Sequence, residues 1–142
     1  MKKIAFLFVF IFCFQMSYGQ KVKNENIPLA VKDAFQVLYP NADKVNWGKE
    51  GQNYEASLKM DGKEISVVFD SAGKLLGKEE DIEISELPAN AREYLSKSFP
   101  KSKIREVEKK TNAQGIIIYE VEIKGKELIF DANGNFVKET KD

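Results

Sequence analysis

From Ile27 onward the chain moves between two hydrophobic periods, and it does so twice. Ile27, Val31, Ala34, Phe35 and Leu38 recur at helical spacing and make one apolar stripe. Pro28 suits a first helical turn, where its missing N–H would have had no partner. Pro40 drives Tyr39 out of the helical region, so the helix stops near there. The period then shortens to two. Val45 and Trp47 share a face of a short strand, and Tyr54, Ala56, Leu58 and Met60 alternate with Glu55, Ser57 and Lys59. That alternation is the mark of a half-buried antiparallel strand. Asp61-Gly62 signals a hairpin, after which Ile65, Val67 and Phe69 return and Asp70–Gly73 turns the chain again. Leu75 and Leu76 open a fourth strand that runs out through the charged stretch Lys78–Glu83.

The second pass follows the same plan. Leu87, Ala91, Tyr94 and Leu95 form a stripe that stops at Pro100, and strands are expected over Ile104–Lys110, Ile116–Lys124, Glu127–Asp131 and Asn135–Glu139. Phe69-Asp70 and Phe130-Asp131 stand 61 positions apart, Tyr39-Pro40 and Phe99-Pro100 stand 60 apart, and Tyr54-Glu55 and Tyr119-Glu120 stand 65 apart. Landmarks in one order with small insertions are what a repeated supersecondary unit leaves behind. The expected architecture is α+β: a tandem repeat of one helix followed by a four-stranded antiparallel meander, residues 27–84 and 85–142, preceded by a flexible N-terminal tail over 20–26. One such unit of roughly 60 residues would be marginal alone, a physical reason for joining two.

Ahead of this lies Met1–Gly19. Lys2 and Lys3, the apolar run Ile4–Phe14 and the small residues Ser17 and Gly19 read as a secretory signal peptide, and the run is too short to span a bilayer. Cys13, the sole cysteine, would leave with it. The remaining 123 of the 142 residues hold no His and no Cys, with 20 basic against 22 acidic side chains. Near-neutral, interspersed charge argues against nucleic acid as a partner. The missing residue types remove Ser-His-Asp and Cys-His catalysis and ordinary zinc sites, and no glycine-rich phosphate loop is present.

Carboxylates remain as candidate chemistry. Glu79, Glu80, Asp81 and Glu83 could be a glycosidase pair only if one were held in an apolar pocket; their unbroken charged run reads instead as a solvated strand end and linker. Asp131–Asn135 and Asp70–Lys74 lack the further ligands of a calcium loop and read as turns in which Asp bonds its own backbone. Trp47, the single tryptophan, reads either as a core residue or as an anchor for a partner. On the face away from the helices, Val68, Ile118 and Ile129 are apolar where water is expected. If the two sheets join, they would form one patch suited to protein binding.

Pro28, Ala34-Phe35 with Tyr39-Pro40, Val45-Asn46-Trp47, Tyr54-Glu55-Ala56 and Phe69-Asp70 with Gly73 resemble the PepSY-like, beta-lactamase-inhibitor-like family of exported bacterial proteins. The likeness spans Ile27–Asp142, once per repeat, and departs at Arg105-Glu106-Val107, where the first copy has Val45-Asn46-Trp47. It implies a tandem helix-plus-sheet fold without catalysis, and related inhibitors grip an enzyme with a sheet face. The resulting expectation is an exported, non-catalytic binding module, periplasmic or extracellular, with no cofactor and no metal. Its open sheet face would meet another exported protein through Trp47, Val68, Ile118 and Ile129, in one form as an inhibitor of an envelope or secreted enzyme. No contact with nucleic acid is expected, and none with the membrane once the signal is removed. The alternative is a small-ligand sensor or carrier with a pocket between helix and sheet.

Overall fold

A computed structural model describes residues Gln20–Lys141; the expected signal peptide, Met1–Gly19, lies outside the described residues. Strand β1 (Gln20–Lys21) is followed by helix α1 (Leu29–Leu38) and strands β2 (Val45–Glu50), β3 (Asn53–Met60), β4 (Lys63–Phe69) and β5 (Leu75–Asp81). Helix α2 (Ala89–Ser98) then precedes β6 (Ile104–Asn112), β7 (Ile117–Ile123), β8 (Lys126–Asp131) and β9 (Phe136–Lys141). All nine strands form one antiparallel sheet in chain order.

Both helices start one residue later than their prolines suggest. Pro28 and Pro88 are extended at the cap positions, with φ −55° and −53°, because proline fixes φ while leaving ψ free to stay non-helical. Ile27 and Leu87 therefore sit before their helices, yet both are buried in the core. Residues 20–26, expected as a loose tail, carry β1 paired to β2 and a single 3-10 turn at Asn24–Asn26. Backbone pairing along a sheet edge holds the start of this stretch while its polar side chains stay in water, an arrangement that composition alone does not reveal.

The larger difference is at the join. Lys78–Glu83, expected as a solvated strand end, supplies most of β5, an interior strand. It pairs with β4 on one side and with β6 on the other, in the register Gly77↔Asn112 through Asp81↔Glu108. Every residue of β5 is half-buried.

Two cores lie on the same side of this sheet. Val31 and Phe35 of α1 cover Trp47, Ala56, Leu58, Val67 and Phe69; Ala91 and Leu95 of α2 cover Val107, Val121, Ile123, Leu128 and Phe130. The cross-strand ladder Ile65↔Glu80↔Lys109↔Tyr119 carries that face from one core to the other. Among the described residues, no helix packs on the opposite face. Each helix is pressed close to the turn between the third and fourth strands that follow it: a Cβ on Gly73 would lie 2.4 Å from the Ala30 carbonyl oxygen, and one on Gly134 would lie 2.6 Å from the Pro88 Cβ.

Candidate functional site: the uncovered sheet face

Side chains alternate across a strand, so the ladder that fixes the helix-side core also fixes what faces away from it. The uncovered face carries two long rows. One runs Asn46, Ser57, Ser66, Glu79, Lys110, Ile118 and Asp131. The other runs Asp81, Glu108, Glu120, Ile129 and Lys138.

The four apolar candidates separate. Trp47 lies on the helix side, 7% exposed, with its ring edge-on to Phe35 at 5.3 Å between centroids. It is a core residue, with too little surface to anchor a partner. Val68 and Ile129 do face away from the helices, but they are only 4% and 2% exposed. Val68 stands opposite Glu55 and Gly77, and Ile129 stands between Glu120 and Lys138. Directly opposed side chains are close enough to shade a short branched one: Glu120 and Lys138 stand on either side of Ile129, and Glu55 stands beside Val68, whose other neighbour has no side chain. Buried as they are, these two residues form a floor and little of either meets a partner. Ile118 is half-buried between Lys110 and Asp131. The face is polar at its surface, contrary to the apolar patch expected.

Its centre is a charge cluster at the join of the two repeats. The Lys110 ammonium is 3.0 Å from Glu120, 3.2 Å from Glu108 and 3.5 Å from Glu79 Oε1. The last is an ion pair too long for a good hydrogen bond, and Glu79 Oε1 is buried without a hydrogen-bond partner. Burial pushes the Glu79 carboxyl up to about 7, with repulsion from Glu108 and Glu120 adding to it and the Lys110 charge opposing it. Lys110 is held above its ordinary value because attraction to Glu108, Glu79 and Glu120 outweighs its own burial. The two partners thus pull in different senses. One ammonium shared by three carboxylates stays charged, while the carboxylate with the poorest contact gives way.

Next to it, carboxylate oxygens of Asp81, Glu106 and Glu108 lie within 4.8 Å of one another. Burial first, then neighbouring carboxylates, raises the Asp81 and Glu106 carboxyls. Of the residues weighed as a hydrolytic pair, Glu79 and Asp81 face this way. Glu80 points to the helix side, 2.8 Å from Lys78, and Glu83 pairs with Glu86 in a capping box. Asp70 and Asp131 accept backbone N–H bonds from Ala72 and Lys74, and from Asn133 and Asn135, all at 2.9 Å. They close turns.

Sequence reasoning passed over Glu106, Glu108 and Lys110. The signal was there, since charges at i, i+2 and i+4 of a strand share one face. What it could not supply was the pairing of β5 with β6. A cleft of about 390 Å³ opens on the other side of that same join, lined by Met60, Lys63, Ile65, Glu80, Lys109 and Tyr119. It lies between the two helix-covered cores rather than between a helix and its own sheet.

Two helices laid on one side of a continuous antiparallel sheet define an α+β protein of the helix-on-sheet class. A profile of the family described as "Putative beta-lactamase-inhibitor-like, PepSY-like" matches the chain twice, over residues 16–77 and 76–138, and the chain belongs to that family. None of the curated proteins matches it in sequence. Among solved structures it is similar to a DUF2874 family protein from Bacteroides uniformis, at 20% identity and TM-score 0.74, covering 80% of this chain and 88% of the other. A protein from Bacteroides eggerthii described as "putative periplasmic" shares 20% identity at TM-score 0.71, with coverage of 80% and 88%. A BLIP-like protein from Bacteroides fragilis shares 28% identity at TM-score 0.64, with coverage of 79% and 84%. Among the described residues no helix is long and apolar enough to cross a membrane.

Proposed function

We propose that this protein is an exported, non-catalytic binding module that holds another exported protein against its uncovered sheet face. Inhibition of an envelope or secreted enzyme is the form of binding that the family description and the BLIP-like relative favour, and the relative described as periplasmic favours an envelope location. The observation that carries the reading is that both cores lie on one side of the sheet, leaving the other side continuous across the join of the repeats. That continuous face, polar at its surface, offers a second molecule a broad area with charged and hydrogen-bonding groups at hand.

The test places a photo-crosslinking amino acid at Ser66 on the uncovered face and, as a control, at Asp33 on α1, in the chain expressed in its native host. Adducts with a discrete exported protein from Ser66 alone support the reading. Adducts from Asp33 alone overturn it.

The cleft at the join supports a second reading, a small-ligand carrier, because Met60, Ile65 and Tyr119 give it apolar walls and Lys63 and Lys109 give it cations. A thermal shift with an envelope metabolite that is lost in Tyr119→Ala and kept in Glu122→Ala would favour it over the sheet face.

A further inference from the structure

The two repeats can be superposed by register, and the uncovered face shows where they part. Trp47↔Ala56↔Val67 in the first repeat corresponds to Val107↔Val121↔Leu128 in the second, so all these core positions stay apolar. One residue over, on the uncovered face, Asn46↔Ser57↔Ser66 corresponds to Glu106↔Glu122↔Glu127. Three neutral residues in one copy are three glutamates in the other. Gly48 likewise corresponds to Glu108. This side of the second repeat sets Glu106, Glu108, Glu120, Glu122 and Glu127 against Lys110, Lys138 and Arg105, an acidic excess in a chain that balances overall at 22 basic and 22 acidic residues.

This arrangement carries a stability cost. Like charges directly opposite each other in a sheet destabilise it, and here Glu106 opposes Glu122, which opposes Glu127. The first repeat has instead a hydrogen bond at 3.0 Å between the Ser57 and Ser66 hydroxyls. Internal relief is partial: Arg105 reaches Glu122 at 3.2 Å, and the Thr140 hydroxyl donates to Glu127 at 3.1 Å. Lys110 is spent on Glu79, Glu108 and Glu120. Among the described residues neither Asp81 nor Glu106 has an ion pair.

We infer that the second-repeat half of the uncovered face, over β6, β7 and β8, is the docking surface for a cationic partner, a protein segment rich in lysine and arginine. The inference rests on the sheet-face reading above and adds the partner's chemistry to it. A partner bringing ammonium or guanidinium groups over the Glu106–Glu122–Glu127 row supplies the counter-charge that the protein withholds. Such an acidic face also steers association, which makes the on-rate fall with salt.

The experiment follows backbone amide shifts of the labelled chain, residues 20–142, on addition of decalysine, decaglutamate and calcium. Decalysine is expected to shift residues of β6–β8 saturably, with affinity falling at least tenfold between 50 and 300 mM salt, roughly the loss expected when several ion pairs carry binding. Decaglutamate is expected to shift nothing. The triple variant Glu106→Asn, Glu122→Ser, Glu127→Ser installs the first repeat's side chains and should lose decalysine binding while melting no lower than the parent. If it misfolds, the isosteric Glu106→Gln, Glu122→Gln, Glu127→Gln variant should show the same loss. Retained binding in a folded variant overturns the inference. So does saturable calcium binding at Asp81, Glu106 and Glu108 without decalysine binding, which would make the carboxylates an ion site. Absence of any decalysine binding, with the Ser66 crosslink still formed, overturns the cationic partner and spares the sheet-face reading. Decalysine shifts confined to α1 and α2 overturn both.

Discussion

Glu79 and Lys110 face each other across the join of the two repeats, with the lysine ammonium 3.5 Å from a buried carboxylate oxygen that has no hydrogen-bond partner. Two further carboxylates, Glu108 and Glu120, compete for the same ammonium at 3.2 and 3.0 Å. The join is therefore held by a charge group in which one acid is poorly served.

The pH dependence follows from that imbalance. The Glu79 carboxyl is raised in the folded protein, to about 7 from an ordinary value of 4.5. The folded state therefore binds this proton more tightly than the unfolded chain does. Its contribution is fully present below about pH 4.5 and is lost as pH rises through about 7, at up to about 1.4 kcal/mol per pH unit for one proton. Urea unfolding at pH 5.5, 6.5 and 7.5 should show stability falling with pH across this window. Glu79→Gln should flatten the trend. An equal slope in the variant would locate the proton elsewhere.

Removing the cation should be more damaging than removing one acid. Lys110→Met leaves Glu79, Glu108 and Glu120 facing one another in a half-buried site, and breaking such a group costs about 2–4 kcal/mol. The loss should be largest at pH 7.5 and smaller at pH 5, where protonation relieves the repulsion. Denaturant midpoints at the two pH values check it.

Gly73 is a backbone requirement with two parts. Its φ of +82° strains any residue with a Cβ, and that Cβ would also lie 2.4 Å from the Ala30 carbonyl oxygen. Gly62 has φ +80° but open space around the added atom. Gly62→Ala should cost about 1–2 kcal/mol from strain alone. Gly73→Ala should cost about 2–4 kcal/mol, since α1 must also shift. Thermal melts of the two variants separate the conformational part from the steric one.

Phe35 joins α1 to the first half of the sheet, buried and edge-on to Trp47. Phe35→Ala should destabilise by about 3–5 kcal/mol through the lost apolar burial and the cavity left. Because Trp47 is the sole tryptophan of the chain, its emission should also move to longer wavelength in the folded variant as water approaches the indole.

Much of the fold is visible in residue patterns. The change of period from 3.6 to 2, repeated after Pro40 and Pro100, places two helices and two runs of strands, because each element must bury one side and its spacing reports which. Boundaries moved by a residue or so where proline caps a helix rather than entering it. The candidate site was less legible. Alternation along β4, β7 and β8 turns Val68, Ile118 and Ile129 away from the helices, but their exposure depends on neighbours from other strands. Glu55 and Gly77 flank Val68, and Glu120 and Lys138 flank Ile129. Trp47 followed the rule for large aromatics and went to the core.

Local spacing determines which side of an element is apolar, and it did so here for both repeats, down to the matched stripes of α1 and α2. Tertiary structure alone decided that β5 and β6 pair, turning a charged run into the middle of one sheet and setting Glu79 against Lys110 on its uncovered side. The reason is range. Periodicity is written between residues a few positions apart, whereas Glu79 meets Lys110, and Glu106 meets Glu122, only through hydrogen-bonded register between strands that the sequence keeps apart.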